Sequence, residues 1–336
     1  MKAKILKILG CLMPIIGFSS VPTDNEGVSH HEQLRAIDVK LPEKIASSQW
    51  STEMTVAFQA AREAGEVLLK TQNSGENLQI EQKEDYKGNL SPVTIADQRA
   101  NKIICSMLHE QFPDYGILTE ESVSDDAELQ EAADQWKTSK MAWLIDPLDG
   151  TKDFINKGKD YGIHIGLTQD GQPVLGLNYY PETDAFYFAV LACGAYKQTG
   201  FASAQPLHVP ISEGKILPLR NSTPQETAPF YQQLLGSEIV PEKFPAIESS
   251  GARICAIAEG KHTLYISLGI RGGLWDYCSS EVILHEAGGY VTDLNGKPID
   301  YRSEEARLKF GTIVSNDKEI HHRVIEIQRE LTRSGK

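Results

Sequence analysis

Two aspartates lie three positions apart at the end of an apolar run, in Trp143-Leu144-Ile145-Asp146-Pro147-Leu148-Asp149-Gly150-Thr151-Lys152. Pro147 fixes the turn between them and Gly150-Thr151 begins a new element, so both carboxylates can face one point beside the Leu148 carbonyl. Hard oxygen ligands in that arrangement suit Mg²⁺. The backbone N–H groups that follow Asp149 can point at a phosphate from a helix start. Taken alone, an Asp-x-x-Asp pair is more often a capped turn with two surface carboxylates.

Three further acidic positions change that balance. Thr119-Glu120-Glu121 follows a short strand pattern, where a carboxylate can reach a shared site; alone it reads as an acidic helix start. Trp275-Asp276 opens a helical pattern that closes at Gly288-Gly289, and alone Asp276 reads as an N-cap. Asp97 lies in Pro92-Val93-Thr94-Ile95-Ala96-Asp97, alone a solvated helix residue.

The elements that would have to position these groups are legible from periodicity. Met54, Ala57, Phe58, Ala61, Ala64 and Leu68 recur at helical spacing, so a first core helix is expected over 50–69. The polar stretch 75–88 reads as a loop or flap. Ser91 and Pro92 suit the cap and first turn of a second helix, with Ala96, Ala100, Ile103, Ile104, Met107 and Leu108 on one face and an end at Phe112-Pro113-Asp114. Strands are expected at 116–119 and 142–145, with a charged surface helix between them over 123–140. An antiparallel meander is expected from 162–168, 174–180, 185–190 and 194–198, punctuated by Gly171, Pro181 and Gly194. Residues 200–250, rich in Pro, Ser and Glu, read as the crossover to a second half. That half has strands at 254–258 and 263–267, a helix from about Asp276 to Ala287, strands at 290–293 and 311–315, and a last helix from about Asp317. His164 falls mid-strand and His285 within the Asp276 helix, and both read as structural. Trp275 is expected to pack beside the metal loop.

The chain of 336 residues is long enough for two packed halves. Its net charge of −13 and lack of a Lys/Arg cluster argue against a long nucleic acid as partner. An acidic protein can still take a phosphorylated small molecule if divalent metals lie between them. The five cysteines, Cys11, Cys105, Cys193, Cys255 and Cys278, form no CxxC pair, so neither a disulfide framework nor a zinc site is indicated. At the start, Lys2, Lys4 and Lys7 precede an apolar run from Ile8 to Phe18 interrupted by Pro14. Residues 1–20 are a signal or anchor candidate, with 1–19 as the signal peptide, and the run is too short for an ordinary span. Removal, peripheral membrane association and retention stay open, and the expected location is the cytoplasm or the inner membrane. Residues 21–49 read as a linker or arm.

The combination of Asp97, Glu120-Glu121, Asp146-Pro147-Leu148-Asp149-Gly150-Thr151 and Trp275-Asp276 ahead of Gly288-Gly289 resembles the lithium-sensitive, magnesium-dependent phosphomonoesterase superfamily. That superfamily includes inositol monophosphatases, fructose-1,6-bisphosphatases and 3′(2′),5′-bisphosphate nucleotidases, and the resemblance covers about residues 50–330. Ser91-Pro92-Val93-Thr94-Ile95-Ala96-Asp97, Asp149-Gly150-Thr151-Lys152-Asp153-Phe154-Ile155, Lys87, and Ser249-Ser250-Gly251-Ala252-Arg253-Ile254-Cys255 followed by Ala258-Glu259-Gly260 are most similar to the bacterial nucleotidase branch.

The resemblance implies an α+β, layered α-β-α-β-α sugar-phosphatase fold, with an N-terminal metal-binding subdomain over 50–205 and a C-terminal subdomain over 206–336. It implies two or three Mg²⁺ ions per site. One would be held by Glu120, Asp146 and the Leu148 carbonyl, and a second by Asp146, Asp149 and Asp276. Asp97, Glu120 and Thr151 would be catalytic, with Thr151, oriented by Asp97, helping Glu120 place a water for in-line attack. Gly150, Thr151, Lys152, Ser250, Arg253 and Asp276 would face the substrate, Arg253 toward a second phosphate or the sugar. The implied reaction converts adenosine 3′,5′-bisphosphate to AMP and phosphate. An inositol monophosphatase is the alternative within the class, and a non-catalytic phosphate-binding regulator on the same fold is the alternative outside it.

Three features depart from the pattern: Arg220-Asn221-Ser222 matches an Arg-Ser-His-like segment only weakly, Arg253 stands where a lysine is usual, and the N-terminal extension of about 50 residues is additional. A cleaved signal would also place the enzyme where a nucleotide made inside cells is scarce.

Overall fold

A computed structural model describes residues 40–84, 90–121, 127–209, 216–219, 224–238, 240–268, 272–308 and 310–334. The candidate signal segment, Lys87 and Arg220-Asn221-Ser222 lie outside the described residues.

The architecture follows from which residues each strand buries on its two sides. The larger sheet has seven strands in the order β3-β4-β5-β6-β7-β8-β9. These are β3 Gly116–Thr119, β4 Met141–Asp149, β5 Gly162–Gln169, β6 Gln172–Tyr180, β7 Ala185–Val190, β8 Gly194–Thr199 and β9 Gln205–Leu207. The β3–β4 pair is parallel and the rest are antiparallel; β5 to β8 form the expected meander, and β9 adds a strand within the stretch read as a crossover. Alternate side chains face opposite sides. Trp143, Ile145, Ile163, Ile165, Leu175, Leu177, Phe186 and Phe188 join a core with helices α2 Ser51–Ser74 and α3 Ile95–Gln111. Ala142, Leu144, Tyr180, Tyr187 and Ala189 join a second core with α7 Ser250–Ala258 and α8 Leu274–Ala287.

A three-stranded sheet, β10 Leu264–Ser267, β12 Thr312–Ser315 and β11 Tyr290–Asp293 in that order, covers the far side of these two helices. Tyr265 and Val314 face them. Leu264, Ile266 and Ile313 face away, toward α6 Pro224–Leu235 and α9 Lys318–Arg333. The result is five layers, α-β-α-β-α, each apolar face covered by the next. Two glycines set how closely α8 lies on the large sheet. A Cβ on Gly176 would stand 2.1 Å from the Ser279 carbonyl oxygen, and one on Gly166 would stand 2.6 Å from Cys278 Sγ.

Local chemistry explains where the sequence reading is corrected. The stretch 75–88 holds a strand, β1 Glu81–Glu84, paired with β2 Leu90–Val93; an all-polar strand shows no alternation to read. Ser91 and Pro92 therefore sit in β2 and do not open α3. Thr94 does, because its Oγ1 accepts from Ala96 N (3.1 Å) while Asp97 accepts from the Thr94 amide, a reciprocal cap. The expected strand at 254–258 is helical: Ser249 caps α7 by accepting from Ala252 N (3.1 Å), and Ile254-Cys255-Ala256-Ile257-Ala258 is buried on all sides, a run whose period cannot separate strand from helix. α8 begins at Leu274, with Asp276 in its first turn rather than at its cap. The first helix runs past residue 69 to Ser74, where Gly75 at φ 72° ends it. Within the stretch read as an arm, Glu43–Ala46 forms a helical turn, α1, that buries Ile45. Among the described residues the charged helix, α4, spans Ala127–Gln135 and stops short of 140, and the remaining helix, α5, is Thr151–Ile155.

Cys105, Cys255 and Cys278 are buried free thiols, and Cys193 is half-buried. Among the described residues no helix is long and apolar enough to cross a membrane.

Candidate active site

The site is built at the end of β4. The β4–β5 register shifts between Asp146 and Asp149. In a regular strand, positions three apart face opposite sides; the irregularity lets both carboxylates face one point. The backbone hydrogen bond from Glu120 N to Ile145 O (3.0 Å) continues the parallel β3–β4 pairing and sets Glu120 alongside. Asp276 arrives from α8, across the second core.

Asp146, Asp149 and Asp276 each offer one carboxylate oxygen, all within 4.8 Å of one another. Asp146 and Asp149 are buried and Asp276 is half-buried. Among the described residues no lysine or arginine pairs with any of the three. Burial and then the charges of Glu120, Asp149 and Asp276 push the Asp146 carboxyl well above the usual range. Burial, Asp149 and Glu120 push Asp276 up to about 7, against the opposing bonds from Gly273 N and Ser250. Three carboxylates, two buried and one half-buried, held this close repel one another unless a cation lies among them. That is the environment in which a hard divalent ion fits, and the ligand set is all oxygen.

The remaining expected residues fall into two groups. Thr151 Oγ1 lies 3.2 Å from Asp97 Oδ1 and 3.1 Å from the Leu148 carbonyl oxygen. Asp97 Oδ2 accepts from Thr94 N and Oγ1, both at 2.7 Å. Burial is the main cause that raises Asp97 to about 7, with Glu121 and Glu120 adding to it. Gly150 adopts φ 92°, and a Cβ there would sit 3.0 Å from the Asp160 carbonyl oxygen, so the tight turn into α5 needs glycine. Ser250 Oγ stands between Asp149 Oδ2 (3.1 Å) and Asp276 Oδ1 (3.2 Å).

Lys152 is exposed. Arg253 donates to Tyr265 Oη (2.9 Å) with its guanidinium 4.6 Å from the ring centre, so Tyr265 holds it. Tyr277 is buried with its hydroxyl 2.9 Å from Thr312 Oγ1. Trp275 is buried beneath the Arg307 guanidinium. His285 is exposed on the outer face of α8.

Two contacts were not anticipated from the sequence. Lys83 of β1 places its ammonium 3.0 Å from Glu120 Oε1 and 2.5 Å from Glu121 Oε1. Only the β1–β2 pairing brings it there, and a lone lysine in a polar stretch carries no signal of that. Ser249, noticed only within a matching segment, donates to Asp149 Oδ2 at 2.5 Å.

The chain is similar to known proteins over most of its length. A sequence model of the inositol monophosphatase family matches residues 49–333. The chain is 32% identical over 259 residues to the 3'(2'),5'-bisphosphate nucleotidase CysQ of Salmonella typhimurium, covering 75% of this chain and 95% of that one. It is 28% identical over 281 residues to the inositol-1-monophosphatase of Bacillus subtilis, covering 83% and 97%. Among solved structures, CysQ from Bacteroides thetaiotaomicron aligns at TM-score 0.62 and 25% identity over 80% of this chain and 99% of its own. The suppressor protein suhB from Bartonella henselae aligns at TM-score 0.65 and 23% identity over 83% and 99%.

Proposed function

Since the chain belongs to the inositol monophosphatase family, we propose that it hydrolyses a phosphate monoester of a small metabolite with Mg²⁺ held by Glu120, Asp146, the Leu148 carbonyl, Asp149 and Asp276. The observation that carries this reading is the convergence of Asp146, Asp149 and Asp276 within 4.8 Å, with no lysine or arginine of the described residues paired to any of them. When bound, the cations would offset the charge of the phosphate oxygens and of the leaving oxygen and acidify the attacking water.

The chain's own residues do the positioning. Thr151 can donate its hydroxyl hydrogen to Asp97 Oδ1, which leaves its lone pairs to accept a hydrogen from the attacking water. Glu120 is the carboxylate beside Asp146 that can take the water's proton, and Lys83 balances its charge. The Gly150–Lys152 turn faces the phosphate. As the bond from water oxygen to phosphorus forms, the ester P–O bond breaks; one proton of the water passes to Glu120, the leaving oxygen takes up one in return, and the products are phosphate and an alcohol. Ser250, Arg253 and Asp276 face the remainder of the substrate in this reading.

The substrate we favour is adenosine 3′,5′-bisphosphate, giving AMP and phosphate, because the 32% identical relatives are named for bisphosphate nucleotide hydrolysis. The inositol monophosphate reading rests on the Bacillus subtilis relative. Phosphate release measured with Mg²⁺ from adenosine 3′,5′-bisphosphate and from inositol 1-phosphate, side by side, decides between them. Preference for the inositol ester overturns the substrate and keeps the chemistry. Release from neither, nor from sugar bisphosphates, supports a non-catalytic phosphate-binding protein.

A further inference from the structure

His164 stands in the middle of β5, with Asp146 opposite it on β4 and Asn178 opposite it on β6. The three polar side chains make a row on the side of the sheet that α7 and α8 cover. Asn178 is fully engaged: Nδ2 donates to Ser280 Oγ (2.8 Å) and Oδ1 accepts from Ser279 Oγ (2.6 Å). His164 is as deeply buried, at 0% exposure, yet neither ring nitrogen has a hydrogen-bond partner. A buried polar group left in that state is destabilising. Packing alone would favour an aliphatic side chain there.

One carboxylate lies within reach of the imidazole. Nε2 lies 3.3 Å from Asp149 Oδ2. That oxygen also accepts from Ser249 Oγ (2.5 Å), Ser250 Oγ (3.1 Å) and Gly251 N (3.1 Å). Every hydrogen-bond donor that the described residues give Asp149 goes to Oδ2, none to Oδ1. The space for the imidazole is kept by Gly251, where a Cβ would stand 2.2 Å from His164 Nε2 and 2.7 Å from Asn178 Nδ2. Of the four groups around Oδ2, the amide of Gly251 is fixed by the helix and Ser249 by its cap, and Ser250 is shared with Asp276. The imidazole turns about a soft terminal torsion and can close on Oδ2 without moving backbone.

We propose that His164 is a positioning residue for Asp149: its Nε2–H completes the ring of donors on Oδ2 and so keeps Oδ1 turned toward Asp146 and Asp276 for the cation. The inference rests on the metal-dependent reading above. Groups that orient metal-binding carboxylates in this way typically contribute about 10- to 100-fold in metal affinity.

The test compares His164→Gln, which keeps a terminal N–H donor, with His164→Met, which keeps length and removes it. The full chain is titrated with Mg²⁺ and the concentration giving half of the thermal stabilisation is read. His164→Met should need about 10- to 100-fold more Mg²⁺ than the wild type, and His164→Gln should stay within about threefold. An unshifted His164→Met, or equal shifts in both variants, overturns the proposal. A wild type that Mg²⁺ does not stabilise at all sinks the metal-dependent reading and this inference with it. Should His164→Met fail to fold, the ¹⁵N resonances of the His164 ring in the wild type decide: hydrogen on Nε2 is expected, and hydrogen on Nδ1 with Nε2 bare overturns the assignment.

Discussion

Thr151 Oγ1 lies 3.2 Å from Asp97 Oδ1, and the same aspartate closes the N-terminal cap of α3 through its other oxygen. One carboxylate thus ties the helix over the large sheet to the turn that follows Asp149. Removing the hydroxyl should leave the fold and the carboxylate cluster in place while freeing the water that the proposed reaction has it orient. Thr151→Ala is expected to lower kcat about 10- to 100-fold with KM within about threefold, measured by phosphate release under saturating Mg²⁺. A loss confined to KM would mean that Thr151 binds ester and takes no part in placing the nucleophile.

Ionising Asp146 costs the metal-free fold, since burial and three neighbouring carboxylates disfavour its charged form. Asp146→Asn removes that repulsion. In EDTA at pH 8 the variant should be more stable than the wild type by about 1–2 kcal/mol, read by denaturant unfolding, while losing about a thousandfold or more of its activity in Mg²⁺. A variant less stable in EDTA would show that the carboxylates do not repel one another in the metal-free protein.

Gly251 lies in the first turn of α7, where alanine ordinarily adds up to about 1 kcal/mol of helix stability. Here the methyl group would stand 2.2 Å from His164 Nε2 and 2.7 Å from Asn178 Nδ2, in a packed interior. The clash decides the sign. Gly251→Ala should destabilise by about 2–3 kcal/mol in denaturant melts, and a neutral or stabilising result would mean that α7 is free to lift from the sheet.

His321 gives the pH dependence of stability a source remote from the site. It is buried on α9 with Nε2 2.9 Å from Thr292 Oγ1, and burial, aided by His322, lowers its pKa from about 6.5 to about 4. Below pH 6.5 the unfolded chain takes up a proton that the folded chain refuses. The contribution is therefore intact at neutral pH and is lost as the pH falls from about 6.5 to about 4, by about 3 kcal/mol in all. His321→Gln should flatten that part of the stability–pH curve, followed by urea melts between pH 7 and 4. An unchanged slope would place the acid sensitivity elsewhere.

Part of this protein is legible in its order of residues because the information is local. Asp146-Pro147-Leu148-Asp149-Gly150-Thr151 specifies a turn with two carboxylates through spacing, proline and glycine alone, and the apolar alternation of 162–168, 174–180 and 185–190 specifies a meander through the pleat. The apolar faces of α2 and α3 follow from a period of 3.6 residues. The resemblance carried by those strings points to the family from residue order alone. Local signals fail where two spacings fit equally well, as in Ile254-Cys255-Ala256-Ile257-Ala258, or where none is present, as in Glu81–Glu84.

Only the tertiary structure decides what lies around the carboxylates. Ser249 reaches Asp149 across 100 residues of chain, and Ser250 reaches it across 101. Lys83 meets Glu120 only because a polar hairpin folds over the end of β3, and His164 meets Asp149 only because β5 pairs with β4 through a register shift. A side chain's own identity states which hydrogens it can give or take. Its partner is set by the layers that bring distant segments within about 3 Å, and no spacing along the chain encodes that distance.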